Sequence, residues 1–226
     1  MARGRFITFE GGEGAGKSTQ ARLLAERLRA GGQRIVLTRE PGGSPFAEHL
    51  RTLILASETP PHGALSETLL FYAARADHIA ETIRPALAQG RWVISDRFSD
   101  STRVYQGRAG RVDPAAIARL EEIVVCATQP DLTVIMDLAP ELGLARAESR
   151  LAKITAQATR NGERLPARDA YEARDLDYHR ALRDGFLAIA STEPSRCIVV
   201  DAARTEAVIA AEIWQAVDAR LIRGAA

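Results

Sequence analysis

The sequence predicts an α/β fold with a doubly wound parallel sheet, and three observations predict it. Five short, β-branched-rich apolar runs recur along the chain, each closed by a polar residue or a turn. Helical patterns separate these runs, so strands alternate with helices. The apolar residues within each run are nearly continuous, as in strands buried on both faces of a parallel sheet.

The first run, "RFITFE" at 5–10, leads into "GGEGAGKST" and a helical pattern over 17–30. Gly11, Gly12, Glu13, Gly14, Ala15, Gly16, Lys17 and Ser18, followed by Thr19, fit G-x-x-x-x-G-K-[ST] in full. Glycines let backbone N–H groups close on phosphate oxygens, and the helix N-terminus adds unpaired donors. Lys17 reaches the β- and γ-phosphates, and the Ser18 hydroxyl suits Mg²⁺. Strand, loop and helix together predict a P-loop NTPase fold that binds a nucleoside triphosphate. The chain's only asparagine, Asn161, precedes Gly162, so the N-K-x-D guanine reader of GTPases is absent.

The second run, "RIVLTRE" at 34–40, places Arg39 at a strand's C-terminal end, where open α/β sheets bind ligands. "PGGS" then turns the chain into a helix over 44–56. A longer helix follows over 66–88. At 100° per residue, Leu69, Ala73, Ala76, Ala80, Ile83 and Leu87 share the face expected to meet the core. Phe71, Arg75, His78 and Thr82 fall opposite. Phe71 either packs under a neighbouring loop or, with Arg75, forms a platform and donor for a planar base.

The third run, "RWVISDR" at 91–97, ends in Asp96 and Arg97. These form either an ion pair at a strand end or a metal-proximal carboxylate beside a phosphate-gripping guanidinium. Ser101, Thr102, Tyr105 and Gln106 follow, with hydrogen-bonding groups one helical turn apart. A helix over 113–126, the run "LTVIMDL" at 132–138 and a helix over 140–152 come next. From Lys153 to Asp169 apolar periodicity fades and basic residues gather, which reads as a solvated loop or a lid over the nucleotide. A helix over 168–190, the run "CIVVDA" at 197–202 and a helix over 204–222 complete one domain spanning 1–226.

Composition narrows the partners. Net charge is +1 with 26% charged residues, so no polyanion-binding surface for nucleic acid is expected. The two cysteines, Cys126 and Cys197, lie far apart without metal-site spacing and are expected to be reduced core residues. The N-terminus holds no apolar stretch of signal-peptide length, and no segment approaches the ~20 apolar residues that span a bilayer. A cytoplasmic protein is expected, with no membrane partner.

Taken in order, "EGGEGAGKST", "TREPGGS", "FYAAR", "SDRFSDSTRVYQG" and "PDLTVIMDL" resemble the bacterial thymidylate kinases. The resemblance implies transfer of the ATP γ-phosphoryl group to dTMP in a Mg²⁺-dependent homodimer, on a five-stranded sheet with a lid at about 150–169. It implies that Phe71 stacks on thymine and Arg75 binds its O4 edge. Thr102 and Gln106 would face the base, Ser101 would belong to the dTMP site, and Tyr105 would sit under the sugar. Glu13 would approach the 3′-hydroxyl, Arg39 and Arg97 would hold the monophosphate, and Ser18 and Asp96 would serve the metal. Some members of the family carry arginine where Gly14 stands; others supply it from the lid. This chain resembles the lid-arginine type, with Arg146, Arg150, Arg160, Arg164 and Arg168 as donors. The family's D-R-x-E after the lid reads Asp169-Ala170-Tyr171-Glu172 here, which points to Arg150, or Arg168 as a displaced substitute, as the catalytic arginine beside Lys17 and Arg97. The competing readings are another nucleoside or nucleotide kinase, which should differ in "FYAAR", and a P-loop ATPase switch without an acceptor site.

Overall fold

In a computed structural model describing residues 3–56, 59–60, 62–161, 171 and 174–225, all five expected strands form. They are β1 (Phe6–Gly11), β2 (Ile35–Arg39), β3 (Trp92–Asp96), β4 (Leu132–Asp137) and β5 (Cys197–Asp201). All pair in parallel, in the order β2-β3-β1-β4-β5. From β1 the chain goes to the edge strand β2, returns to β3 beside β1, and then crosses to β4 and β5 on the other side. That reversal opens a crevice at the C-terminal end of β1, the usual ligand position in such sheets.

One face of the sheet is covered by α1 (Lys17–Ala30) and α9 (Glu206–Val217). Ile7, Phe9, Leu24, Leu28, Val134 and Ile213 are buried there. The opposite face carries α3 (Ala64–His78), α4 (Arg84–Ala88), α6 (Pro114–Val124) and α8 (Leu176–Thr192). Phe6, Tyr72, Ile83 and Ile117 pack in one cluster there, and Ile135, Leu182 and Phe186 in another. Three helices follow the strand ends that frame the crevice: α2 (Pro45–Leu55), α5 (Ser99–Thr102) and α7 (Pro140–Asn161). On this second face Thr38, Ser95, Thr8 and Thr133 are register partners, making a polar row across four strands. The row is bonded rather than wasted: Thr8 to Thr133 at 2.9 Å, Thr38 to His78 at 2.8 Å, and Ser95 to the Arg97 carbonyl at 2.8 Å.

Several expectations are corrected. The stretch 150–161 is not loop: α7 continues to Asn161, because Ala, Lys, Gln and Arg favour helix even after the apolar stripe fades. Residues 162–170, which include Arg164 and Arg168, lie outside the described residues, as does Glu172. The inward face of α3 is also the reverse of the one expected. Leu69, Ala73, Ala76 and Ala80 are exposed, while Thr68, Tyr72, Arg75 and His78 are buried. The cause is twofold: the core side of α3 is a charged network, and a π-helical turn at Ile79–Ile83 rotates the face before α4, returning Ile83 and Leu87 to the core. Cys126 is exposed rather than in the core; Cys197 is buried. The helix Ser99–Thr102, continued as a π-helix over Arg103–Ala109, was not expected as an element.

Candidate active site

The P-loop has the geometry its glycines allow. Gly11, Gly14 and Gly16 adopt positive φ, which L side chains rarely take. Gly14 also touches α7: a Cβ on Gly14 would lie 2.1 Å from the Gly143 carbonyl oxygen, and a Cβ on Gly143 would lie 2.3 Å from that of Glu13. Loop and helix therefore meet backbone to backbone. Lys17 Nζ donates to the carbonyls of Gly12 at 2.7 Å and Gly11 at 3.2 Å, which holds a buried ammonium across the loop. Burial, then the nearby Arg97 charge, pushes its pKa down.

A cavity of about 300 Å³ opens beside the loop. Its walls bring together Glu13, Arg39, Phe71 and Arg97 from four separate segments, with Ser101, Thr102, Tyr105 and Gln106 from the helix after β3. Arg97 sits in a left-handed turn at φ 72. Its Nη2 donates to Glu13 Oε1 at 2.6 Å, and Tyr105 OH donates to the same oxygen at 2.8 Å. Burial alone would raise the Glu13 pKa, but Arg97 and Lys17 outweigh it and hold the carboxylate at about 2. Arg97 also lies over the Tyr105 ring, 4.9 Å from its centre. Tyr105 in turn meets Tyr171 and Phe186 edge-on, at 5.5 and 6.3 Å, which fixes its ring plane. Arg39 lies at the rim, paired with Glu48 at 3.1 Å.

Arg75 is set behind this wall. Its Nε donates to Glu40 Oε2 at 2.8 Å, and its Nη2 to Thr102 Oγ1 at 3.0 Å and the Phe98 carbonyl at 3.1 Å. His78 Nδ1 meets the other Glu40 oxygen at 3.0 Å. Burial would raise the Glu40 pKa, but Arg75 and His78 outweigh it and keep it below the usual carboxylate range. Arg75 Nη1 has no hydrogen-bond partner among the described residues, though the side chain is buried. A buried charged donor without an acceptor costs roughly 1–3 kcal/mol or more, so a ligand acceptor there would be strongly favoured. Glu40 and Thr102, its two side-chain partners, both line the cavity.

On the other side of the loop, Arg150 borders both this cavity and a second cleft formed by Gly14, Gly16, Lys17, Ser18 and Thr19. Arg146 borders the second cleft and donates to the Ala202 carbonyl at 3.0 Å. Arg160 is not at the site: it is exposed and bonds Gln157 at 2.7 Å. Ser18 Oγ donates to Asp96 Oδ2 between the two cavities. A hydroxyl and a carboxylate are hard oxygen donors, and no group of three His, Cys, Asp or Glu side chains gathers among the described residues. That set fits Mg²⁺, which takes one or two protein oxygens and completes its shell with water and phosphate. Sequence reasoning gave no role to Glu10, Glu40, His78 or Gly143. A carboxylate ending an apolar strand, as in "TFE" and "TRE", was the available signal for the first two. A glycine inside a helix, costing about 1 kcal/mol against alanine, was the signal for Gly143.

The thymidylate kinase family model matches residues 9–213 of this chain. A thymidylate kinase of Nitrobacter winogradskyi is 51% identical over 97% of this chain and 90% of its own length. One from Rhodopseudomonas palustris is 51% identical over 97% and 91%. The crystal structure of thymidylate kinase from Ehrlichia chaffeensis superposes with a TM-score of 0.72 at 33% identity, covering 95% of this chain and 99% of that one.

Proposed function

Because the chain belongs to the thymidylate kinase family, whose activity is the phosphorylation of dTMP to dTDP, we propose that it transfers the ATP γ-phosphoryl group directly to dTMP through the residues gathered here. The observation that carries the reading is the cavity beside the P-loop, walled by an aromatic ring, a buried arginine's partners and two arginines at its phosphate end. Phe71 would stack on the base, and Arg75 Nη1 would meet an acceptor on its edge. An amino group at that edge would face a donor and be disfavoured. Tyr105 would lie under the sugar, Glu13 would accept from the 3′-hydroxyl, and Arg39 and Arg97 would hold the acceptor phosphate. A phosphate monoester is already ionised near neutral pH, so transfer is a matter of aim and charge neutralisation rather than of a strong base. Lys17 and Arg150 would supply that charge at the γ-phosphoryl oxygens. Ser18 and Asp96 would hold Mg²⁺, which neutralises phosphate charge when bound.

Phe71 is the cleanest handle on this reading, since it lines the cavity without joining the buried ion network. Phe71→Ala should raise KM for dTMP by about 10- to 50-fold, the scale of base–aromatic stacking. KM for ATP and the melting temperature should change little. Unchanged dTMP KM would show that the ring is packing alone. Arg75 is a poorer probe, because removing one partner of a buried ion pair itself costs about 3–5 kcal/mol of stability.

A homodimer is part of the same proposal. The exposed stripe Leu65, Leu69, Ala73, Ala76 and Ala80 on the outer face of the 64–88 helix supports it, as an apolar row at helical spacing facing solvent. Light scattering should give twice the 24.5 kDa of one chain; a monomer at micromolar concentration would refute it. No helix among the described residues is long and apolar enough to cross a membrane, and we place the reaction in the cytoplasm. Its partners in this reading are ATP and dTMP.

A further inference from the structure

Glu10 is a fully buried carboxylate that the proposed transfer does not use. It is the penultimate residue of β1, on the same sheet face as Thr8 and just before the phosphate loop. Its Oε1 accepts the Phe98 backbone N–H at 2.7 Å, and its Oε2 accepts the Ser101 hydroxyl at 2.6 Å. Immediately before Phe98 stands Arg97, whose φ of 72 is unfavourable for an L side chain. Such a conformation persists only where its surroundings over-determine it. Here they do: the Arg97 N–H donates to the Phe9 carbonyl at 2.9 Å, and its own carbonyl accepts from Ser95 Oγ at 2.8 Å. Arg97 Nη1 then donates to Ser101 Oγ at 3.2 Å, the hydroxyl that Glu10 holds.

We propose that Glu10 is a positioning residue: by fixing the Phe98 N–H and the Ser101 hydroxyl it keeps Arg97 in the turn that aims its guanidinium at the phosphate loop. The strand that launches the donor loop thereby also braces the arginine that aims the acceptor. This rests on the reading of Arg97 as the acceptor-phosphate ligand. Without the carboxyl, the Phe98 N–H loses its acceptor, Ser101 is free to rotate, and Arg97 can relax to an ordinary φ. Its guanidinium then swings off the acceptor while the loop glycines stay in place. Burial, then the Asp100 charge, pushes the Glu10 carboxyl up to about 8. Glutamine resembles the neutral carboxyl: its amide oxygen can accept the Phe98 N–H while its amide N–H donates to the Ser101 hydroxyl, so both contacts survive with the second reversed.

The test is a double-mutant cycle on the full chain, reading kcat, both KM values and melting temperature. Glu10→Ala should lower kcat/KM for dTMP by about 30-fold through the loss of one buried, charge-linked hydrogen-bond pair. KM for ATP should stay within about twofold, and Glu10→Gln should retain activity within about threefold. In an Arg97→Ala background, Glu10→Ala should add less than about threefold, because its effect runs through a side chain already gone. A full multiplicative loss in that background, or an equal rise in KM for ATP, overturns the proposal. Near-normal activity of Arg97→Ala alone would instead sink the reading of Arg97. If Glu10→Ala fails to fold, Ser101→Ala takes its place in the cycle with the same criterion, since it removes the hydroxyl that links Glu10 to Arg97.

Discussion

Arg150→Ala is expected to lower turnover with dTMP by about 10³-fold, the scale of a transition-state arginine, with little change in KM for dTMP. Adding Gly14→Arg is expected not to restore it. The reason lies in the contact between the phosphate loop and α7. Gly14 has φ 66, and any Cβ there would meet the Gly143 carbonyl oxygen at 2.1 Å. Gly143 is equally constrained by the Glu13 carbonyl at 2.3 Å. Neither neighbour is a flexible side-chain end, so an arginine at position 14 must push α7 away. Arg146 and Arg150 sit one and two turns beyond Gly143 on that helix and would move with it. The close approach that excludes an arginine from the loop is the one that brings α7 arginines to it. Steady-state kinetics on Arg150→Ala, Gly14→Arg and the pair checks this. Full turnover in Arg150→Ala moves the donor role elsewhere, with Arg168→Ala as the next variant. Rescue by Gly14→Arg would show that the loop and helix tolerate separation.

Lys17→Met should abolish measurable transfer, a loss of at least about 10²–10³-fold for one preorganised cationic donor. Lys17→Arg should fail nearly as badly. The chain has two lysines among its 30 basic residues, so arginine is its ordinary choice of cation and lysine at 17 is an exception. Nζ fits between the Gly11 and Gly12 carbonyls as a compact charge, in a side chain only 7% exposed. A planar guanidinium needs more room and a fixed fork of acceptors. Retention of more than a tenth of the turnover by Lys17→Arg would contradict this packing argument.

What could be read in the sequence followed from how local the signal is. The phosphate loop lies within one stretch of chain, and its glycines, lysine and flanking elements announce themselves together. The central strands were legible because both faces are buried, which keeps their runs nearly apolar; the edge strands β2 and β5 are partly exposed but keep β-branched, mostly apolar runs. Phe71 was legible as an oddity, and the structure places it on a cavity wall. The inverted face of α3 was not legible, because a wheel drawn at a fixed 100° assumes an apolar core and an unbroken helix. Here the inward side holds Arg75 and His78 around Glu40, and a π-turn shifts the phase. The reach of α7 was obscured by reading loss of amphipathicity as loss of helix. Partnerships across the fold, such as Glu10 with Phe98 and Ser101 or Gly14 with Gly143, join positions about 90 and 130 residues apart and leave no periodic trace.

The most direct test of the proposed transfer is ADP release from MgATP, compared across dTMP, dUMP, UMP, CMP, AMP and no acceptor. The mechanism predicts strong turnover with dTMP, weak turnover with dUMP and background with the others, since each lacks the base edge or sugar that the Phe71 and Tyr105 wall, with Arg75 behind it, would select. Equal ADP release without any monophosphate would leave the phosphate loop standing and contradict an acceptor site in that cavity.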